Sequence, residues 1–195
     1  LDNIDAITQK LGEPFSDASL VPTYFLCKHV NEKVVLSGDG ADEIFGGYGV
    51  YSAIDFVNRL PEVFKQIINI FPHFNNPLNI KTPILRKIAL TLNKFDRDSL
   101  NHFIKWRSYC DEKTLIRFNI VDNELKNILK KDFLRPFNSL KELMLQDLKF
   151  NLPNDMLKKI DYASMFNGLE VRLPFLDTDV VKFAFSLQNK YILHN

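Results

Sequence analysis

The chain has 195 residues, enough to bury the core of one good-sized domain, and its 25 basic and 24 acidic side chains leave a net charge of +1. So balanced a charge excludes the broad basic surface that nucleic acid or an anionic membrane attracts. With 46% apolar and 25% charged residues, and no apolar run near the roughly 18 residues of a membrane span, the sequence reads as globular and not membrane-bound. Its two cysteines, Cys27 and Cys110, lie far apart and at no metal-ligating spacing, so they read as free core thiols of a reducing, cytoplasmic setting. The chain opens at Leu1 without a methionine or a signal-peptide pattern and is read as part of a longer protein.

Taken in order, Ile4, Ile7 and Leu11 recur at helical spacing and Gly12 stops that helix. Glu13-Pro14-Phe15-Ser16-Asp17 is a connector, and a second helix starts near Asp17 with Pro22 close to its first turn. Lys33 to Leu36 is short and apolar between Asn31 and Ser37, which predicts a fully buried strand of a parallel sheet. A helix is expected from Ala41 onward. Further amphipathic stripes run over 60–71, 84–92 and 100–106, with a loop from His73 to Pro83. Ser139 and Glu142 form a capping box ahead of Leu143 and Met144, and Asp177 caps a last helix through Leu187. One strand cannot satisfy its own edges. Its partners must be disguised here or lie outside the chain.

The segment richest in chemistry is Ser37-Gly38-Asp39-Gly40-Ala41-Asp42-Glu43-Ile44-Phe45-Gly46-Gly47-Tyr48. Four of the chain's seven glycines fall in it. A strand, a glycine-rich turn and a helix start expose backbone amides to a phosphate. Asp39, Asp42 and Glu43 would repel that anion unless a hard cation such as Mg²⁺ lay between. Gly-Asp-Gly and Gly-Gly also occur in ordinary turns, so the pattern alone leaves a plain structural turn open. It is not a P-loop, since no Gly-Lys-Ser/Thr follows, and it lacks the dinucleotide fingerprint.

Residues 37 to 48 closely resemble the second nucleotide loop of the asparagine synthetase B family. A second block agrees: Leu157-Lys158-Lys159-Ile160-Asp161-Tyr162-Ala163-Ser164-Met165 leads into Leu169-Glu170-Val171-Arg172-Leu173-Pro174-Phe175-Leu176-Asp177, similar to the family's Leu-Glu-Val-Arg-Val-Pro-Phe-Leu-Asp stretch. Glu13-Pro14-Phe15, Asp17 and Pro22 match the segment before the loop. The resemblance spans the whole chain, with residues 52–140 fitting only as a helical region.

This resemblance implies the back part of one α/β domain of the ATP-pyrophosphatase type (adenine nucleotide alpha hydrolase-like). Residues 1–50 would form the nucleotide-loop segment and 51–195 a mainly helical part, with few strands. It implies a reaction in which ATP is attacked at its α-phosphate, a carboxylate becomes an acyl-adenylate, pyrophosphate leaves and ammonia forms the amide. In asparagine synthetases the acid is aspartate and the ammonia comes from glutamine, through an N-terminal glutaminase domain that this chain lacks. The family's first nucleotide loop, Ser-Gly-Gly-x-Asp-Ser-Ser, is also absent from these residues, so the chain alone is expected to be inactive. A homodimer of the parent is a further expectation.

Carried over by position, Ser37, Gly38 and Gly40 would line ATP, and Asp42 would bind Mg²⁺ against pyrophosphate. Lys159 and Asp39 are the catalytic candidates, Lys159 as the cation facing pyrophosphate or the acyl transition state. Some relatives carry their lysine where this chain has Tyr162, and a solvated helix face is the competing account of Lys158 and Lys159. Asp39 stands where many asparagine synthetases have glutamate, which leaves another acid substrate open. Glu43 is assigned to local structure, and Glu170 with Arg172 to a buried ion pair before Pro174. A degenerate helical interaction module is the reading from another class. If the carry-over holds, the fold must bring Lys159 and the Ser37–Asp42 loop to one cleft.

Overall fold

The computed structural model describes residues 2–59 and 139–193, together with the isolated positions 61, 81, 82, 105, 114, 117 and 118. The helices expected over 60–71, 84–92 and 100–106, the loop from His73 and the Cys110 thiol fall outside them, apart from those isolated positions. The chain divides into two compact units, Leu1–Gly47 with Met144–Asn195, and Tyr48–Leu143.

The first unit holds all three sequence blocks except Tyr48, the last residue of the glycine-loop block. Helix α1 spans Asp2–Leu11 and ends at Gly12, whose φ of +69° is the left-handed stop that glycine permits. Helix α2 spans Leu20–Lys28. Ahead of it, Asp17 accepts from the Ser19 amide at 2.8 Å and the Ser19 hydroxyl at 2.7 Å, an Asx-type turn that sets the entry to the helix. Strand β1, Val34–Leu36, pairs in parallel with β2, Glu170–Arg172, in the register Val34↔Glu170 and Leu36↔Arg172.

The partner strand was thus disguised, in a stretch to which the sequence assigns only an ion pair before Pro174. Glu170-Val171-Arg172 carries one apolar residue between two charges, which gives no strand signal over so short a length. The pleat explains the pattern. Val35 and Val171 pack against a core of Ile7, Leu20, Tyr24, Cys27, Ala163 and Leu169. Burying each of Ile7, Leu20 and Leu169 contributes about 1.5–3 kcal/mol. Val34 and Leu36 point to the other face and are 41% and 72% exposed. The expectation of a fully buried strand is therefore corrected: helices cover one face of this pair among the described residues. The Glu170–Arg172 ion pair exists at 2.9 Å, but on that open face, so it is exposed and not buried.

A π-helix, Asp147–Met156 with Pro153 inside it, runs into helix α6, Leu157–Met165. (Helices α3, α4 and α5 are Ala41–Phe45, Gly49–Arg59 and Leu140–Gln146.) Proline removes one amide from the ladder, and the wider turn absorbs the loss. After β2 a 3₁₀ turn at Pro174–Leu176 leads to α7, Thr178–Ser186, capped as expected by Asp177, which accepts from the Asp179 amide at 2.9 Å. Helix α8 is Asn189–Ile192.

In the second unit, α4 buries Tyr51 and Ile54 and carries an Asp55–Arg59 ion pair of 2.7 Å one turn apart. The Glu142 amide donates to the Ser139 hydroxyl at 3.3 Å ahead of α5, the amide half of the expected capping box.

Candidate functional site

The two helix–strand units of the first compact unit run side by side. Asp17 meets Lys159, and seven residues later in each segment Tyr24 meets Phe166, with ring centroids 6.5 Å apart. Helices α2 and α6 therefore run parallel to each other. Each returns into its strand through a short turn, so each runs antiparallel to that strand. Their N-terminal ends, with Asp17 and Lys159, lie toward the carboxyl ends of β1 and β2. Open α/β sheets bind ligands at that end.

The glycine loop leaves β1 at the same end. The Ser37 amide donates to the Arg172 carbonyl at 3.0 Å, which extends the ladder by one bond. The chain then turns, with the Ala41 amide donating to the Gly38 carbonyl at 3.2 Å. Among the described residues the amides of Gly38, Asp39 and Gly40 have no hydrogen-bond partner. Three consecutive unpaired amides are the donor set an anion needs. No atom lies within 4 Å of where a Cβ on Gly38 would stand, so the approach there is open. The Ser37 hydroxyl donates to the Asp39 carboxylate, which shapes the turn and commits a donor that sequence reasoning had given to phosphate.

Two contacts fix the loop from behind. Gly40 has φ +91°, and a Cβ there would stand 2.8 Å from Leu176 Cγ. Phe45 meets Phe175 edge-on at 6.2 Å. The Pro174–Leu176 turn after β2 thus buttresses the turn after β1. Gly47 leaves room for Asp42, since its Cβ would stand 2.8 Å from Asp42 Cγ, and its amide donates to the Asp42 carbonyl at 3.0 Å. The Asp42 carboxylate is exposed. Glu43 is 1% exposed.

The connector of residues 13–17 clamps the first turns of α6. Lys159 Nζ stands 3.4 Å from Asp17 Oδ2 and 3.3 Å from Met156 Sδ, with both charged side chains about one-eighth exposed, at 12% and 13%. It makes no hydrogen bond to the glycine loop among the described residues. Lys158 is 39% exposed, pairs with Glu13 and stands over the Tyr162 ring, whose hydroxyl donates to Glu13. The two lysines therefore part company: Lys158 lies on the solvated face and Lys159 does not.

Burial pushes the Asp17 carboxyl up, but the Ser19 hydroxyl and amide and the Lys159 charge outweigh it and hold it below the usual carboxylate range. Glu13 is lowered by its bonds from Lys158 and then Tyr162, and the Tyr162 phenol is raised, foremost by its bond to Glu13. Burial raises the Cys27 thiol, as suits an inert core cysteine.

Sequence reasoning placed Glu13, Asp17 and Tyr162 in matching blocks but gave them no role. The Asp17-x-Ser19 spacing is the one local signal of what Asp17 does, because it marks an Asx turn. An open groove of about 940 Å³ lies along the other flank of α6, lined by Leu157, Lys158, Asp161, Met165, Val171 and Leu173. It contains none of Ser37, Asp39, Asp42 or Lys159, so it is separate from the candidate site. No cluster of three or more potential metal ligands occurs among the described residues.

The family model described as asparagine synthase matches residues 1–195. The chain belongs to the asparagine synthase family. It is 24% identical over 200 residues to asparagine synthetase (glutamine-hydrolyzing) 1 of Bacillus subtilis, covering 94% of this chain and 30% of that protein. Two provisionally named asparagine synthetases (glutamine-hydrolyzing) are also similar. The one from Mycobacterium bovis is 28% identical, over 89% of this chain and 27% of its own length. The one from Methanocaldococcus jannaschii is 30% identical, over 88% of this chain and 34% of its own. The chain spans about a third or less of the relatives it matches. No solved structure matches.

Proposed function

We propose that this chain supplies part of the ATP site of an amide-forming synthetase of the ATP-pyrophosphatase type. Its acid substrate is aspartate, activated as an acyl-adenylate and aminated by ammonia derived from glutamine. The observation that carries this reading is the turn of three amides, Gly38 to Gly40, unpaired among the described residues, at the carboxyl end of a parallel strand pair. The family membership and the names of the relatives support the amide-forming chemistry.

On this reading the amides of Gly38, Asp39 and Gly40 bind the ATP phosphates. Ser37 acts on the loop through its hydrogen bond to Asp39. Asp42 would hold Mg²⁺. The donor set fits, because this ion takes one or two carboxylates and completes its shell with water and phosphate oxygens. Asp42 is exposed and makes no ion pair among the described residues. When bound, the metal neutralises charge on the departing pyrophosphate. Lys159 adds a second positive charge at the same end of the sheet, fixed at its stem by burial and ready to orient the leaving group. Asp39 holds the turn in shape.

The test uses the full-length protein that carries these residues. AMP and pyrophosphate release from ATP would be measured with aspartate, with other amino acids and with no acid, each with ammonium supplied. Release that depends on aspartate and yields asparagine is expected. Cleavage of ATP to ADP and phosphate, or release indifferent to any acid, would sink the proposal.

A further inference from the structure

Asp17 and Lys159 are both largely shielded from water, and the way Asp17 is held bears on what Lys159 can do. One carboxylate oxygen, Oδ1, is fixed by two hydrogen bonds from Ser19, at 2.8 and 2.7 Å. The other, Oδ2, is buried and has no hydrogen-bond partner among the described residues. It faces Lys159 Nζ at 3.4 Å, a charge contact longer than an ideal ammonium–carboxylate hydrogen bond. Among the described residues the ammonium's other contact is the Met156 thioether at 3.3 Å, a weak acceptor. A lysine carries three donors, so at least one N–H remains for an anion.

A simple tether would close this pair with a short hydrogen bond on a saturated lysine. The observed arrangement differs. The carboxylate is locked from behind, and the ammonium is attracted but not saturated. Its long stem is packed, so the charge does not sweep through many rotamers. The pair lies toward the carboxyl ends of both strands, as does the Gly38–Gly40 turn.

We infer that Asp17 is a positioning residue: it fixes the buried Lys159 ammonium so that the cation meets pyrophosphate at the carboxyl end of the sheet. This rests on the reading of Lys159 given above. Asp17 touches no substrate and acts only through the lysine. Ser19 in turn holds Asp17, so the sequence Asp17-Ala18-Ser19 sets the aim of a cation more than a hundred residues away.

A double-mutant cycle tests this in the full-length protein, with inorganic pyrophosphate and Mg²⁺ as the probe and calorimetry as the readout, beside urea midpoints to monitor folding. Asp17→Asn is nearly isosteric and is expected to weaken pyrophosphate binding about ten- to a hundredfold, the range that misplacing one group costs. Ser19→Ala should weaken it less, in the same direction. In a Lys159→Met background, Asp17→Asn should change binding no further, because nothing remains to be aimed. Asp17→Glu should recover part of the affinity if it reaches Lys159. Should Lys159→Met bind pyrophosphate like the wild type, the role given to Lys159 fails and the inference with it. If Lys159→Met is weakened but Asp17→Asn binds as the wild type or more tightly, the lysine reading stands and the inference alone is overturned. An equal loss from Asp17→Asn with and without Lys159 would also overturn it, because the effect would then come from folding or long-range charge.

Discussion

Replacing Gly40 by alanine probes how the two turns are joined. Gly40 has φ +91°, and a methyl there would stand 2.8 Å from Leu176 Cγ. Holding a non-glycine residue in left-handed backbone costs about 1–2 kcal/mol. Forcing a methyl into Leu176 adds about 1–3 kcal/mol of overpacking. Gly40→Ala should therefore destabilise by about 2–5 kcal/mol, lowering a urea midpoint by about 1–2.5 M at a typical slope. Leu176 is half-buried, so Leu176→Ala should cost about half the usual core truncation, about 1–2.5 kcal/mol. In the double variant the clash disappears while the backbone strain stays. Its loss should fall short of the sum of the singles by the overpacking share, about 1–3 kcal/mol. Urea unfolding followed by circular dichroism measures all four proteins. Additive losses, or a Gly40→Ala midpoint equal to wild type, would refute the contact between Gly40 and Leu176 as the clasp of the loop.

The Glu13 network predicts a pH dependence. Glu13 is lowered from its ordinary value of 4.5, so its share of stability is present above that pH and lost as pH falls through the lowered value. Tyr162 is raised from 10.0, so its share is present below pH 10.0 and lost as pH rises through the raised value. The gap in urea midpoint between wild type and Glu13→Gln should be flat at neutral pH and close toward pH 3; a gap that widens there contradicts the assignment. Asp42→Asn should reduce turnover of the full-length protein and raise the Mg²⁺ needed for half-maximal rate, with an unfolding free energy within about 0.5 kcal/mol of wild type because the side chain is exposed. An unchanged Mg²⁺ requirement would remove Asp42 from the metal site. These 195 residues contain no Ser-Gly-Gly-x-Asp-Ser-Ser run, so by themselves they should release no pyrophosphate from ATP with aspartate; brisk release would show that one loop suffices.

Local signals in the sequence determined the helix stop at Gly12, the strand Val34–Leu36, the helix after Gly40 and the caps at Ser139 and Asp177. Each is written in neighbouring residues, through glycine's left-handed backbone, a short apolar run or a side chain reaching its own helix start. The glycine loop was legible for the same reason, and the order of three blocks pointed to the family before any coordinate did.

Other features depended on partners distant in the chain. Glu170–Arg172 is a strand because β1 offers it a ladder, and its lone Val171 gives the sequence no sign of that. Val34 and Leu36 are exposed because, among the described residues, helices cover the Val35 face and not theirs, a fact about packing and not about the run Val-Val-Leu. Lys158 and Lys159 are identical in sequence terms. They differ because α6 turns one toward Glu13 and solvent and the other toward a buried carboxylate on the connector. Leu176 reaches Gly40, and Asp17 reaches Lys159, across separations that no local rule spans. Burial and charge pairing are properties of the assembled unit, so only the tertiary structure decided which cation is held still at the end of the sheet.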